Sequence, residues 1–175
     1  MLRRAVSLGL IVGAALAALA ARAQAPIAWT EVAWPFLRDG WPNGRAFECA
    51  GGACGAKLLL TARVKNGFCD CSRGVADDDE IDRVGDVSLL TDQFKPLATS
   101  EAVPLAGMAG RTRLYETLDR GHRQVLSLAG GRDCNAFVAM ALGGEAFPEG
   151  GAKAAAEFIN TPAFSKWVAM KQVGG

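Results

Sequence analysis

The chain has 175 residues, of which 50% are hydrophobic, and its 19 Lys+Arg against 18 Asp+Glu give a formal net charge of +1. That balance offers neither the basic face that nucleic acid requires nor the polybasic run that draws a protein to anionic lipid. The length suits one domain, large enough to bury a core without staples.

The first residues read as a targeting segment. Arg3 and Arg4 form a short positive region, Ala5 to Ala20 is apolar, and Ala21-Arg22-Ala23 fits a small-x-small cleavage site. The expectation is a signal peptide over residues 1–23 and a single domain over 24–175, with no membrane span left after cleavage. Cleavage also removes three arginines and leaves the mature chain slightly acidic. Export to the periplasm permits disulfides, and five cysteines, being odd, leave at least one outside any intrachain pair.

Residues 27–44 carry Trp29, Trp34 and Trp41. Pro35 and Pro42 push the residues before them towards extended geometry. Pro35 opens an expected short helix, Phe36-Leu37-Arg38, closed by Asp39-Gly40. The rings are expected to pack over one edge of the core.

Arg45 to Cys49 reads as a short strand and Ala50–Ala53 as a loop before Cys54. Lys57 to Lys65 alternates with period two. Leu58, Leu60, Ala62 and Val64 form a dry face, opposite Lys57, Leu59, Thr61, Arg63 and Lys65. Asn66-Gly67 is a tight-turn signal, after which Phe68-Cys69-Asp70-Cys71 either pairs back or enters a loop.

Asp77-Asp78-Asp79-Glu80 lacks the spacing of a calcium loop: counted from Asp77, the sixth position is Asp82 and the twelfth Ser88. It fits a helix start, with Asp77 as N-cap, Glu80 three residues on, and Ile81, Val84 and Gly85 as a narrow buried stripe. Strand patterns follow at 87–90, 101–105, 112–116, 124–128 and 135–142, the last apolar on both faces and therefore central. Residues 148–160 and the segment after Thr161-Pro162 have helical spacing. The fold class expected is α+β: one antiparallel sheet, a short acidic-capped helix, and C-terminal helices packed on one face.

The run Gly67-Phe68-Cys69-Asp70-Cys71, with Gly74-Val75-Ala76-Asp77-Asp78, Asp82 to Asp86, Asp133-Cys134 and the stretch Phe158 to Trp167, resembles a family of small exported alphaproteobacterial proteins of unknown function. The resemblance implies no activity.

Few chemistries have their residues here. His122 is the sole histidine and no Gly-x-Ser-x-Gly elbow accompanies it; no phosphate-binding or dinucleotide glycine motif and no haem-attachment motif is present. Cys49 and Cys54 flank a loop that can bring them within bonding reach. Cys69 and Cys71, on one face of an extended segment, stand too far apart for an unstrained bond. The expectation is a bond from Cys134 to Cys69 or Cys71, with the third sulfur free. The function expected is a non-enzymatic binding or assembly-accessory protein with a periplasmic protein partner and no cofactor. The alternative is a thiol-redox or Cu(I)-handling protein using Cys69 and Cys71, because Cu(I) takes soft ligands in low coordination.

Overall fold

A computed structural model describes residues 29–119, 121 and 123–173; the expected signal peptide and His122 lie outside them. Eight strands form one antiparallel sheet: β1 (Trp29–Val32), β2 (Arg45–Cys49), β3 (Leu58–Lys65), β4 (Phe94–Pro96), β5 (Glu101–Leu105), β6 (Met108–Thr117), β7 (Gln124–Arg132) and β8 (Asn135–Leu142). Their spatial order is β1-β2-β3-β8-β7-β6-β4, with β5 pairing the first half of β6. Helices α1 (Asp78–Val84), α2 (Gly151–Ile159) and α3 (Pro162–Val173) cover it. The α+β expectation holds, and β8 lies centrally between β3 and β7.

The two faces of the sheet differ in chemistry. One carries Phe47, Leu60, Ala62, Val64, Leu126, Leu128, Phe137, Ala139 and Ala141, packed beneath Ala155 and Ile159 of α2 and Phe164 and Val168 of α3. Phe164 is its hub, with ring centroids of Phe47, Phe137, Phe158 and Trp167 at 5.8, 6.0, 5.3 and 5.1 Å. The C-terminal helices share this face. Helix α1 lies on the opposite one, where Ile81 and Val84 pack on Ala129, Ala136 and Val138.

Two local expectations are corrected. Residues 36–38 form no helix, because the chain there runs across the sheet and Phe36 packs against the cluster of Val87, Tyr115, Val125 and Met140. Val87–Leu89 is a 3-10 turn, not a strand; it follows Gly85 too closely to reach a sheet edge, and only Val87 of the three is buried. Asn66-Gly67 turns the chain as expected, with Gly67 at φ 70°, and of the two continuations left open the chain takes the loop, since the neighbours of β3 are β2 and β8. Strand β1 was not anticipated, since four residues without turn signals show too little period to read. Thr161 stands just before α3; its carbonyl accepts from the Ser165 N–H at 2.9 Å and its hydroxyl donates to the Phe158 carbonyl at 2.8 Å.

Candidate functional site

The face under α1 holds side chains that alternation placed in solvent. Thr61, Arg63 and Lys65 of β3 are buried, Arg63 to 2% exposure and Lys65 to 4%. Ion pairing explains this, since a charge leaves water only when its partners go with it. Asp86, just beyond α1, accepts from Arg63 Nε and Nη2 at 2.7 Å each and lies 2.7 Å from Lys65 Nζ. Lys65 Nζ also donates to the Val84 carbonyl at 2.8 Å, one of the carbonyls at the C-terminal end of α1. Burial pushes the Lys65 ammonium below its ordinary pKa against the pull of Asp86. For Arg63, burial opposes the charge, but the bonds to Asp39 and Asp86 outweigh it and hold the guanidinium above its usual range.

The outer edge of Arg63 is closed by the segment 33–44, which links β1 to β2 and crosses this face as a strap. Asp39 on the strap takes Arg63 Nη1 at 2.8 Å and Nη2 at 2.6 Å. That contact, with the Trp41 N–H donating to its carboxylate as well, holds Asp39 down to about 2. Trp34 stacks its ring 5.7 Å from Arg63, while Trp41 and Phe68 stand 5.9 and 5.2 Å from Lys65 Nζ, all within cation–π range. A surface cleft of ≈ 430 Å³ opens beside Asp39, lined by Arg38, Gly40, Trp41, Pro42 and Asn43. Leu37, at the strap apex, is 92% exposed.

The acids of α1 do more than cap it. Asp77 does accept from the Glu80 N–H at 3.0 Å, as the spacing implied. Glu80, however, reaches to the Asp70 N–H at 2.9 Å and to Arg83. Asp78 and Asp82, one turn apart, clamp Arg113 of β6 at 3.2 and 2.8 Å. Asp82 also takes the Tyr115 hydroxyl, and Asp78 the Ser100 hydroxyl. Burial and then the Asp82 carboxylate push the Tyr115 phenol far above its ordinary pKa. Asp78 and Asp82, at i and i+4 on one face of α1, tie the helix to β6, while Asp86, past the helix end at Gly85, ties the same region to β3. The spacing was visible in the sequence, but its partners lie far off in the chain.

The cysteines pair as Cys49–Cys54 and Cys71–Cys134, and Cys69 stays single. Asp133 and Cys134 form the β7–β8 turn with positive φ, 51° and 65°, a geometry non-glycine residues hold at a cost. The Cys69 N–H donates to the Cys134 carbonyl at 3.1 Å, which draws the loop onto this turn. Gly74 and Gly131 make the approach close enough: a Cβ on Gly131 would stand 2.9 Å from Gly74 Cα and 3.0 Å from Cys69 Sγ. Cys69 and Cys71 therefore part company. Cys69 turns inward among Val75, Ile81 and Val84, and burial followed by the nearby Glu80 charge pushes its thiol pKa up. Cys71 is exposed and bonded outward to Cys134. A Cu(I) ion held by Cys69 and Cys71 requires that bond to be open.

Among the described residues no group of three or more His, Cys, Asp or Glu is arranged to hold a metal ion, and no helix is long and apolar enough to cross a membrane. Comparison with known proteins leaves the reading to the structure: no family model matches the chain, and no curated protein does.

Proposed function

We propose that this protein is an exported, periplasmic, non-enzymatic module that binds a protein partner or helps assemble one, and that the strap 33–44 is the part it presents. The carrying observation is the strap itself. Adjacent antiparallel strands need only about 2–5 residues between them, yet β1 and β2 are joined by a far longer segment whose apex, Leu37, is 92% exposed. A partner that covers a leucine so exposed gains the burial of its apolar surface. The strap is also anchored by Phe36 and Trp41, which pack on the body of the domain and lower the ordering cost of association.

Two further features support binding over thiol chemistry. Cys69 is buried with a raised pKa, the opposite of the exposed thiolate that exchange requires. The charged groups beneath α1 are paired with one another. Two disulfides suit an oxidising compartment.

A photo-crosslinking residue in place of Leu37, in protein made with its own N-terminal segment in a producing bacterium, tests this. The expected result is one discrete adduct in the periplasmic fraction, absent when the crosslinker replaces exposed Lys153 on α2. No adduct from position 37, or the same smear from both positions, overturns the reading.

A further inference from the structure

We infer that the outer edge of Arg63 is a carboxylate-binding seat, that Asp39 occupies it as a built-in stand-in, and that an acidic group of the partner displaces Asp39 when the strap engages. The inference rests on the binding role proposed for the strap and names the chemistry it recognises.

The two carboxylates on Arg63 are not equivalent. Asp86 has a side chain 3% exposed, bonds the inner edge of the guanidinium, and is shared with Lys65. Asp39 has a side chain 29% exposed, bonds the outer edge, and belongs to a segment with no regular structure. Taking Asp39 away leaves Arg63, Lys65 and Asp86, a buried group with a net charge of +1. Such a group calls for an anion, because an uncompensated buried charge is expensive. The seat specifies the shape of that anion. Nη1 and Nη2 present parallel N–H bonds at 2.8 and 2.6 Å, the fork that fits a planar carboxylate. Trp34 borders the guanidinium and Trp41 borders the neighbouring ammonium, so a ligand side chain arrives between rings. The 29% exposure of the Asp39 side chain gives access from solvent, and exposed Arg38, next to it in the chain, adds a second cation nearby.

Asp39 competes as a tethered ligand at high effective concentration. The wild-type seat therefore reads as nearly closed to a free carboxylate, and Asp39→Ala opens it. The experiment titrates wild type, Asp39→Ala and Asp39→Asn at constant ionic strength with three probes: acetate, a short blocked peptide containing aspartate with an amidated end, and the same peptide with asparagine and a free C-terminus. The readouts are the Arg63 Nη–H resonances and tryptophan emission. Asp39→Asn keeps the side-chain shape, so it reports even if Asp39→Ala loosens the fold.

The expected result is saturable binding at least about tenfold tighter in Asp39→Ala than in wild type, equivalent to about 1.4 kcal/mol, and lost in Asp39→Ala/Arg63→Met. Preference for the aspartate peptide assigns the seat to a side-chain carboxylate, and preference for the free C-terminus assigns it to a chain end. No saturable shift of the Arg63 Nη–H resonances in either folded Asp39 variant overturns the inference. If the seat binds carboxylate but position 37 yields no adduct, the binding role of the strap fails and the seat stands; an adduct without carboxylate binding has the reverse meaning.

Discussion

Asp86→Ala tests whether the face beneath α1 is held by mutual neutralisation of its charges. The Asp86 carboxylate takes three donors, Arg63 Nε and Nη2 and Lys65 Nζ, each at 2.7 Å, and its side chain is 3% exposed. Removing it leaves two like charges buried together. Arg63 keeps Asp39, on the surface strap; Lys65 keeps the Val84 carbonyl and two aromatic rings. Breaking a buried pair in this way costs about 3–5 kcal/mol, because the orphaned charge keeps its desolvation penalty. In a domain of this size about 1 kcal/mol moves Tm by 2–4 °C, so the expected fall is about 6–20 °C. Lys65→Met is the informative counterpart. It gives up the bond to Val84 but also removes an ammonium that burial already disfavours, and leaves Asp86 bidentate on Arg63. Its expected cost is smaller, about 1.5–3 kcal/mol, the range for hydrogen bonds to charged groups. The double variant should be more stable than Asp86→Ala alone, with a coupling of about 0.5–3 kcal/mol. Urea unfolding of the oxidised proteins, followed by tryptophan emission and checked by thermal circular dichroism, measures all three. Additive variants, or an Asp86→Ala loss below about 1 kcal/mol, refute the reasoning: the cluster would then be wet and screened.

The two disulfides should differ in worth. By loop entropy the bond spanning 63 residues, Cys71–Cys134, stabilises by about 4.3 kcal/mol and the one spanning 5, Cys49–Cys54, by about 2 kcal/mol; paired Cys→Ser variants compared by urea midpoint should rank accordingly, and equal losses would reject the ranking. Acid should release the strap. The folded pKa of Asp39 is depressed to about 2 from an ordinary value near 3.9, so its contribution is full above about pH 4 and is lost as pH falls through about 2. The difference in tryptophan emission between wild type and Asp39→Asn should vanish over that window, and a difference persisting at pH 1.5 would contradict it. Cys69 should alkylate slowly in the native oxidised protein and at once, as one thiol per chain, in denaturant, each 1.4 kcal/mol of opening free energy slowing it about tenfold; native labelling as fast as denatured labelling would mean that the thiol is exposed.

The parts of the fold written in local period were legible. Lys57 to Lys65 alternates cleanly, Asp77 and Glu80 stand at capping distance, and Phe164, Trp167 and Val168 share one side of a helix. What stayed hidden depended on partners far along the chain. Arg63 and Lys65 read as a solvated face because alternation records polarity, not whether Asp39 and Asp86 will arrive to neutralise it. The same limit applied to Asp78 and Asp82, whose clamp on Arg113 lies across the sheet. The reach of Cys134 to the Cys69–Cys71 segment followed from turns at strand ends, but the choice of Cys71 came from which way each side chain leaves the loop, inward at Cys69 and outward at Cys71.

The place of β3 between β2 and β8 sets a timetable. A chain delivered from its N-terminus presents β1, β2 and β3 early, and then waits until residue 142 has emerged before β3 finds its second neighbour. In that interval Leu58, Leu60, Ala62 and Val64 have no helices over them and one bare row of backbone donors and acceptors beside them, the setting in which strands from separate chains join. Arg63 and Lys65, unpaired until α1 closes, then act as charged sentries against that joining. Cys69 and Cys71 emerge well before Cys134, so any bond made hastily among the early sulfurs must be undone before the native one can close. Yield in a cell should therefore follow the supply of holdase and disulfide-shuffling activity more closely than it follows the stability of the finished domain.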